Sequence, residues 1–246
     1  MDEAIIVNSA IGLSAFLIGL SKGGLGGMMG ALITALMALF LPVQVAIGML
    51  LPMLIVGDVF AVTAHWRKWD RRIVRLLIPG AVLGNLIAVL FISSVSVDTL
   101  RTTLGVLILL FVVYRLLESR ILRSIEYVSH GWHGLVAGTI AGLSSTLAHV
   151  GGPPVTIYLL MQELAPRTLV ATSALFFAIL NLIKLPGYLA AGLLAPTMLP
   201  QLLWTIPLIL IGIWVGRKVM DRVDKRMFDA ILTLLLALSG FMLLVG

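Results

Sequence analysis

The 246-residue chain contains no cysteine. Disulfides and thiolate metal sites are excluded, and thiols offer no reading of the redox compartment. Charge is scarce too. Asp, Glu, Lys and Arg make up 11% of the residues, where a soluble domain carries roughly 25%. Acids are the rarer sign, 11 against 17 basic residues. The sequence holds no metal-ligand cluster and no nucleotide motif, so neither metal nor cofactor is expected. No ATP-binding domain accompanies the apolar chain, which favours a gradient as energy source. Met1-Asp-Glu3 puts no basic region before the first apolar run, so that run is expected to stay as a span rather than be cleaved as a signal peptide.

Hydrophobic residues are abundant instead, at 60%. They fall into runs of roughly 15 to 25 residues, the length that crosses a hydrocarbon core. Basic residues flank these runs rather than forming one soluble patch, which argues for cytoplasmic loops and against nucleic-acid binding. The expected fold is therefore an all-α polytopic membrane protein. About ten apolar segments are read: Ala4 to Leu20, Met28 to Leu41, Pro42 to His65, Ile73 to Ile92, Thr99 to Leu117, Trp132 to Leu147, Val155 to Met161, Pro166 to Gly192, one ending near Val215, and one that closes the chain. Residues 1–117 form a first repeat, 118–130 a cytoplasmic connector and 131–246 a second repeat.

The two halves share landmarks in the same order. Gly19-Leu-Ser21 aligns with Gly142-Leu-Ser144, Gly26-Gly27 with Gly151-Gly152, Pro42 with Pro166, and Pro79 with Pro207. Internal repeats of this kind are common in secondary transporters. The basic loop 66–72 and the charged loop 217–226 both fall inside the cell if each half has five segments, with each glycine-rich break as a hairpin. If the breaks were only kinks, 217–226 would face outside, against the positive-inside rule. An odd number of segments makes the repeats inverted and puts both termini outside, in agreement with the acidic Asp2-Glu3.

The two breaks are the expected site. The first runs Gly19-Leu-Ser-Lys-Gly-Gly-Leu-Gly-Gly-Met-Met-Gly30, and the second Gly142-Leu-Ser-Ser-Thr-Leu-Ala-His-Val-Gly-Gly-Pro-Pro154. Irregular backbone in a bilayer survives only where protein or a cavity shelters it. A helix that starts after such a break aims free N–H groups and its positive dipole end at the break. Met28 and Val155 lie near such starts, and Pro153 and Pro154 suit a first helical turn. Two half-helix ends facing each other would make an anion site.

Several side chains bear on that site. Lys22 either faces it or snorkels to the cytoplasmic surface. His149 is an anion ligand, a proton carrier or an interior hydrogen-bonded histidine. Ser21, Ser144, Ser145 and Thr146 offer hydroxyls that serve a ligand or a helix end. Asn181 and Lys184 share one helix face, and Lys184 is read as a site lysine or the partner of an acid. Asp58, the one acid well inside an apolar run, is the candidate partner or a proton-coupling carboxylate. Asn85 lines the path or bonds between helices.

These residues resemble the TauE/SafE sulfite exporter family. The resemblance is carried by Gly19-Leu-Ser-Lys-Gly-Gly-Leu-Gly-Gly27, Ala148-His-Val-Gly-Gly-Pro-Pro-Val155, Leu51-Pro52 with Asp58, Trp69-Asp70, and Phe176-Phe-Ala-Ile-Leu-Asn-Leu-Ile-Lys-Leu-Pro186. It implies a transporter, not an enzyme, that moves sulfite, sulfoacetate or another organosulfonate across a bacterial inner membrane with proton coupling. It also implies substrate-binding roles for Lys22, Gly23, Gly24, Gly26, Gly27, His149, Gly151, Gly152, Asn181 and Lys184, and the hydroxyls of Ser21, Ser144 and Ser145 join them as substrate-binding candidates on their own chemistry. Asp58 and His149 remain the proton-coupling candidates. The expected partners are the small anion and the bilayer, with no nucleic acid, and a homodimer is allowed for. A passive anion channel shares every residue. An intramembrane serine hydrolase built on Ser144 or Ser145 with His149 lacks the second glycine of a nucleophile elbow.

Overall fold

The structure is a computed structural model that describes residues 3–25, 29–124, 130–219 and 225–245. Among them the chain forms eleven α-helices and one π-helical turn. In the first half, α1 (Glu3–Leu20) runs into a π-helical turn at Ser21–Leu25, and α2 (Gly30–Phe40), α3 (Val43–Ala64), α4 (Arg71–Ser94) and α5 (Val97–Ser124) follow. The second half has α6 (Gly131–Ala148), α7 (Gly152–Leu160), α8 (Pro166–Ala190), the single turn α9 (Met198–Gln201), α10 (Thr205–Val219) and α11 (Lys225–Val245).

Among the described residues, six segments are long and apolar enough to cross a membrane: Ile5–Gly24, Val43–Ala64, Arg71–Ser94, Val97–Glu118, Pro166–Ala190 and Met227–Val245. Two of the expected segments, the second and the seventh, form short helices. α2 has 11 residues and α7 has 9. At about 1.5 Å per residue they rise roughly half of a ~30 Å hydrocarbon core. They are half-helices, as a broken hairpin requires. α5 stays helical through Ser124, and its apolar, membrane-crossing part ends at Glu118. The ninth segment is interrupted between α9 and α10.

Large apolar side chains point outward along the long helices, among them Leu86 and Leu90 on α4, Leu110 and Leu116 on α5, and Leu234 and Phe241 on α11. In water such faces would be liabilities, but in lipid they are the outer surface of the bundle. Polar side chains are turned inward, and Asp58, Asn85, Ser145, His149, Asn181 and Lys184 are all buried.

Two glycine seams hold the bundle. α4 packs along α6 and α1 along α10. A Cβ at Gly84 would collide with the Thr139 carbonyl, and one at Gly142 with the Ala81 carbonyl. On the other seam, a Cβ at Gly19 would strike the Ile209 carbonyl and one at Gly212 the Phe16 carbonyl. Without a hydrophobic force between helices in lipid, such backbone-to-backbone contact is a principal source of association. Asn85 lies on the α4–α6 seam, where its Oδ1 accepts from Thr146 Oγ1 at 2.9 Å; it bonds between helices. α5 is tied to α11 by Arg115 and Asp229, Nη2 to Oδ1 2.7 Å, and α3 lies against α8.

Because both partners at these crossings are backbone, neither can move aside. Gly142→Leu is expected to cost upwards of about 1–3 kcal/mol, the usual range for overpacking. It should lower the unfolding midpoint of the purified protein in detergent, while Leu86→Ala on the lipid face leaves the midpoint nearly unchanged.

Candidate functional site

The π-helical turn brings Ser21 and Lys22 round from the end of α1 toward α3. Lys22 does not snorkel away. Its side chain is 13% exposed, and its Nζ donates to Asp58 Oδ1 at 2.5 Å. Gly57 makes room for it, since a Cβ there would approach the Lys22 stem at 3.1 Å. The other Asp58 oxygen, Oδ2, accepts from Asn181 Nδ2 at 2.6 Å. Asn181 Oδ1 then accepts from Lys184 Nζ at 3.0 Å. The expected pairing of Asp58 with Lys184 is thus corrected. Asp58 takes Lys22 directly and reaches Lys184 only through the Asn181 amide, because Asn181 sits one helical turn before Lys184 on α8.

Lys184 is fully buried and saturated. Besides Asn181 it reaches the Ser145 carbonyl at 2.9 Å, Ser145 Oγ at 2.7 Å and His149 Nδ1 at 3.3 Å. Four acceptors surround an ammonium that has three protons. With Nδ1 of His149 accepting, Nε2 carries the ring proton and faces the Ile47 carbonyl at 3.2 Å. His149 ends α6 in the left-handed region, φ 53°. This conformation is unusual for a residue with a side chain, and it turns the chain sharply into Gly151 and α7. Its backbone N–H caps the Ser145 carbonyl at 3.0 Å.

A cavity of about 40 Å³ lies between the two breaks. Ser21, Lys22, Ser145, His149, Gly152 and Asn181, all expected at the site, line it. Gly30 and Gly152, the first residues of α2 and α7, are both at its wall, so both half-helices start there. α7 keeps few free N–H groups, since Pro153 and Pro154 follow Gly152.

Other expected residues lie apart from the cavity. Gly23 packs on the Ile213 carbonyl of α10, and Gly24 is exposed. Ser144 donates to the Ile140 carbonyl at 2.7 Å, a helix-end bond. Gly151 stands behind the wall, with Ser145 Cβ and the Ala141 carbonyl beside it. Lys184 backs the wall through Ser145 and Asn181. Gly26 and Gly27 lie outside the described residues. Sequence reasoning did not single out Ile18, Ile33, Leu54 and Phe177, the apolar part of the lining. Only the position of Phe177 one turn before Asn181 pointed to it.

Long apolar helices with outward hydrophobic faces, around a cavity with charged and polar walls at two helix breaks, are those of a multi-pass membrane protein. Residues 11–243 match the family model described as sulfite exporter TauE/SafE. That is nearly the whole chain, and the protein belongs to this family of membrane transporters of sulfur anions such as sulfite. No curated protein and no solved structure gave a match.

Removing one partner of a buried ion pair strands the other. Asp58→Leu leaves Lys22 and the Asn181 amide without their acceptor and should cost about 3–5 kcal/mol. Lys22→Met in the same chain should recover a large part of that loss. A double-mutant cycle on thermal unfolding in detergent reads the coupling.

Proposed function

We propose that the protein is a secondary transporter that carries a small sulfur anion, sulfite, sulfoacetate or another organosulfonate, across the bacterial inner membrane. Its site is the cavity between the two breaks. The observation that carries this reading is the charge inventory at that cavity. With both lysines as ammonium groups, Lys22 and Lys184 face one aspartate, Asp58. The buried cluster therefore holds one positive charge in excess, and in a low-dielectric interior such an excess calls for an anion.

Lys22 is the direct ligand in this scheme, because it lines the cavity and has only Asp58 as ionic partner. Ser21, Ser145 and Asn181 add neutral donors, and the starts of α2 and α7 add dipole ends. Lys184 and His149 hold Ser145 and Asn181 in position. An arriving anion competes with Asp58 for Lys22, and protonation of Asp58 would release the lysine to the substrate. Proton coupling through Asp58 follows from that exchange.

Alternating access is the proposed cycle. Packing supports two inverted repeats: the first helix of each half lies against the fourth of the other, α1 on α10 and α6 on α4, with α3 on α8 and α5 on α11. Bonded and lining residues also recur at one offset. Asp58 and Asn181 are 123 residues apart, and so are Lys22 and Ser145, and Gly19 and Gly142. The two termini are assigned to the outside of the cell, and rocking of the halves around the cavity would expose it to each side in turn.

The test is uptake by proteoliposomes of sulfite, sulfoacetate, taurine, sulfate, chloride and acetate, with and without an inward proton gradient. One sulfur anion should be taken up saturably, with stimulation by the gradient. Lys22→Ala should raise its apparent constant by about tenfold or more, since a charge-assisted contact is worth about 1.5–3 kcal/mol. Unsaturable passage of every anion would identify a channel. An unchanged constant in Lys22→Ala would remove the lysine from the site.

A further inference from the structure

A second cavity of about 40 Å³ adjoins the first. It is lined by the end of α5 with Phe111, Tyr114, Arg115 and Glu118, and by Thr156 and Ser173 on α7 and α8. Only Gly152 and Phe177 belong to the walls of both cavities. Gly152 has no side chain, so the Phe177 ring is the side-chain partition between them.

The ring is seated on the second break. A Cβ at Gly151 would meet Phe177 Cε1 at 3.2 Å, so glycine at that position lets the ring lie close over the backbone. On the inner side, Lys22 Nζ is 6.0 Å from the ring centroid, within range of the attraction between an ammonium and an aromatic face. On the other side the wall mixes apolar groups with Arg115 and Glu118, and Arg115 is held by Asp229. A single aromatic ring thus stands between a cavity lined by Lys22 and one lined by both Arg115 and Glu118, the latter accepting from Tyr114 Oη at 3.1 Å.

The geometry points to Phe177 as a gate that separates a vestibule at the end of α5, lined by Arg115, Glu118, Thr156 and Ser173, from the central cavity lined by Lys22 and Asn181. The ring closes over Lys22 when the site is empty. An anion on Lys22 neutralises the charge that draws the ring in, so binding and gate position are linked. This inference rests on the reading of the cavity as a transport site. The barrier itself is measurable without any substrate.

The native chain has no cysteine, so single thiols can be introduced without background. Leu54→Cys places one on the central cavity and Thr156→Cys one on the vestibule. Neither residue belongs to the hydrogen-bonded cluster. The full-length protein in liposomes is treated with a charged methanethiosulfonate from each side, and the rate of modification is measured. From the vestibule side, Thr156→Cys should react readily and Leu54→Cys slowly. Adding Phe177→Ala should speed Leu54→Cys from that side by roughly tenfold or more, as expected when a steric gate is removed, and leave Thr156→Cys unchanged. Comparing one thiol in two backgrounds cancels its intrinsic reactivity. Phe177→Leu, which keeps apolar bulk, should give a smaller acceleration and serves if the alanine variant does not fold.

A Leu54→Cys rate unaffected by either substitution overturns the gate, as does a Thr156→Cys that is inaccessible from both sides. The transport reading fails separately. If labelling behaves as expected but no sulfur anion is taken up, the gate stands and the substrate assignment falls. If uptake is normal and labelling is insensitive to Phe177, the reverse holds.

Discussion

The charged side chains buried at the two breaks hang on one chain of contacts: Lys22 to Asp58, Asp58 to Asn181, Asn181 to Lys184, and Lys184 to Ser145 and His149. Its members come from both breaks and from the two central helices α3 and α8. A charged group is expensive in an apolar bundle unless it is paired and hydrogen-bonded. The chain meets that demand for two lysines with one aspartate, using a neutral amide as the joint. Asn181 donates through Nδ2 and accepts through Oδ1, so the amide's orientation is determined from both sides.

The rest of the architecture puts those residues within reach of one another. The glycine seams draw α1 against α10 and α4 against α6 until backbones touch, which brings the ends of α1 and α6 to the two sides of α3 and α8. The half-helices α2 and α7 start where α1 and α6 end. Their shortness follows from the local sequence. Glycines break the first helix, and His149 in the left-handed region followed by Gly151, Pro153 and Pro154 restarts the second. Ile18, Ile33, Leu54 and Phe177 make up the apolar part of the cavity wall.

Much of this was legible in the sequence, for physical reasons. Hydropathy marks the long spans because a membrane helix must be apolar over its whole length. Lys22, Asp58, Asn181 and Lys184 stood out because intramembrane polar residues are rare. Their wiring was not legible. Asp58 and Lys184 occupy similar depths on α3 and α8, which made a direct pair attractive. The choice of Lys22 instead depends on the π-helical turn at Ser21–Leu25, a local change of helical phase that no periodicity in the glycine-rich stretch announces. Ser144 and Ser145 are indistinguishable as neighbours in sequence. Only the helix phase sends Ser144 back to the Ile140 carbonyl and Ser145 to Lys184.

The half-sites are unequal, and the inequality has a consequence. At the shared offset of 123 residues, the first half supplies Lys22 and Asp58 where the second supplies Ser145 and Asn181. The first half therefore provides an ion pair and the second a neutral pair that closes on Lys184. A symmetric site with two such ion pairs would have no charge in excess and no reason to admit an anion. One with two lysines and no aspartate would bind an anion without a competitor and release it poorly. On the proposed reading, the single carboxylate between the lysines is an internal counter-ion that a substrate would displace and that would return when the substrate leaves, and reversible loading of the cavity would follow from that imbalance between the halves.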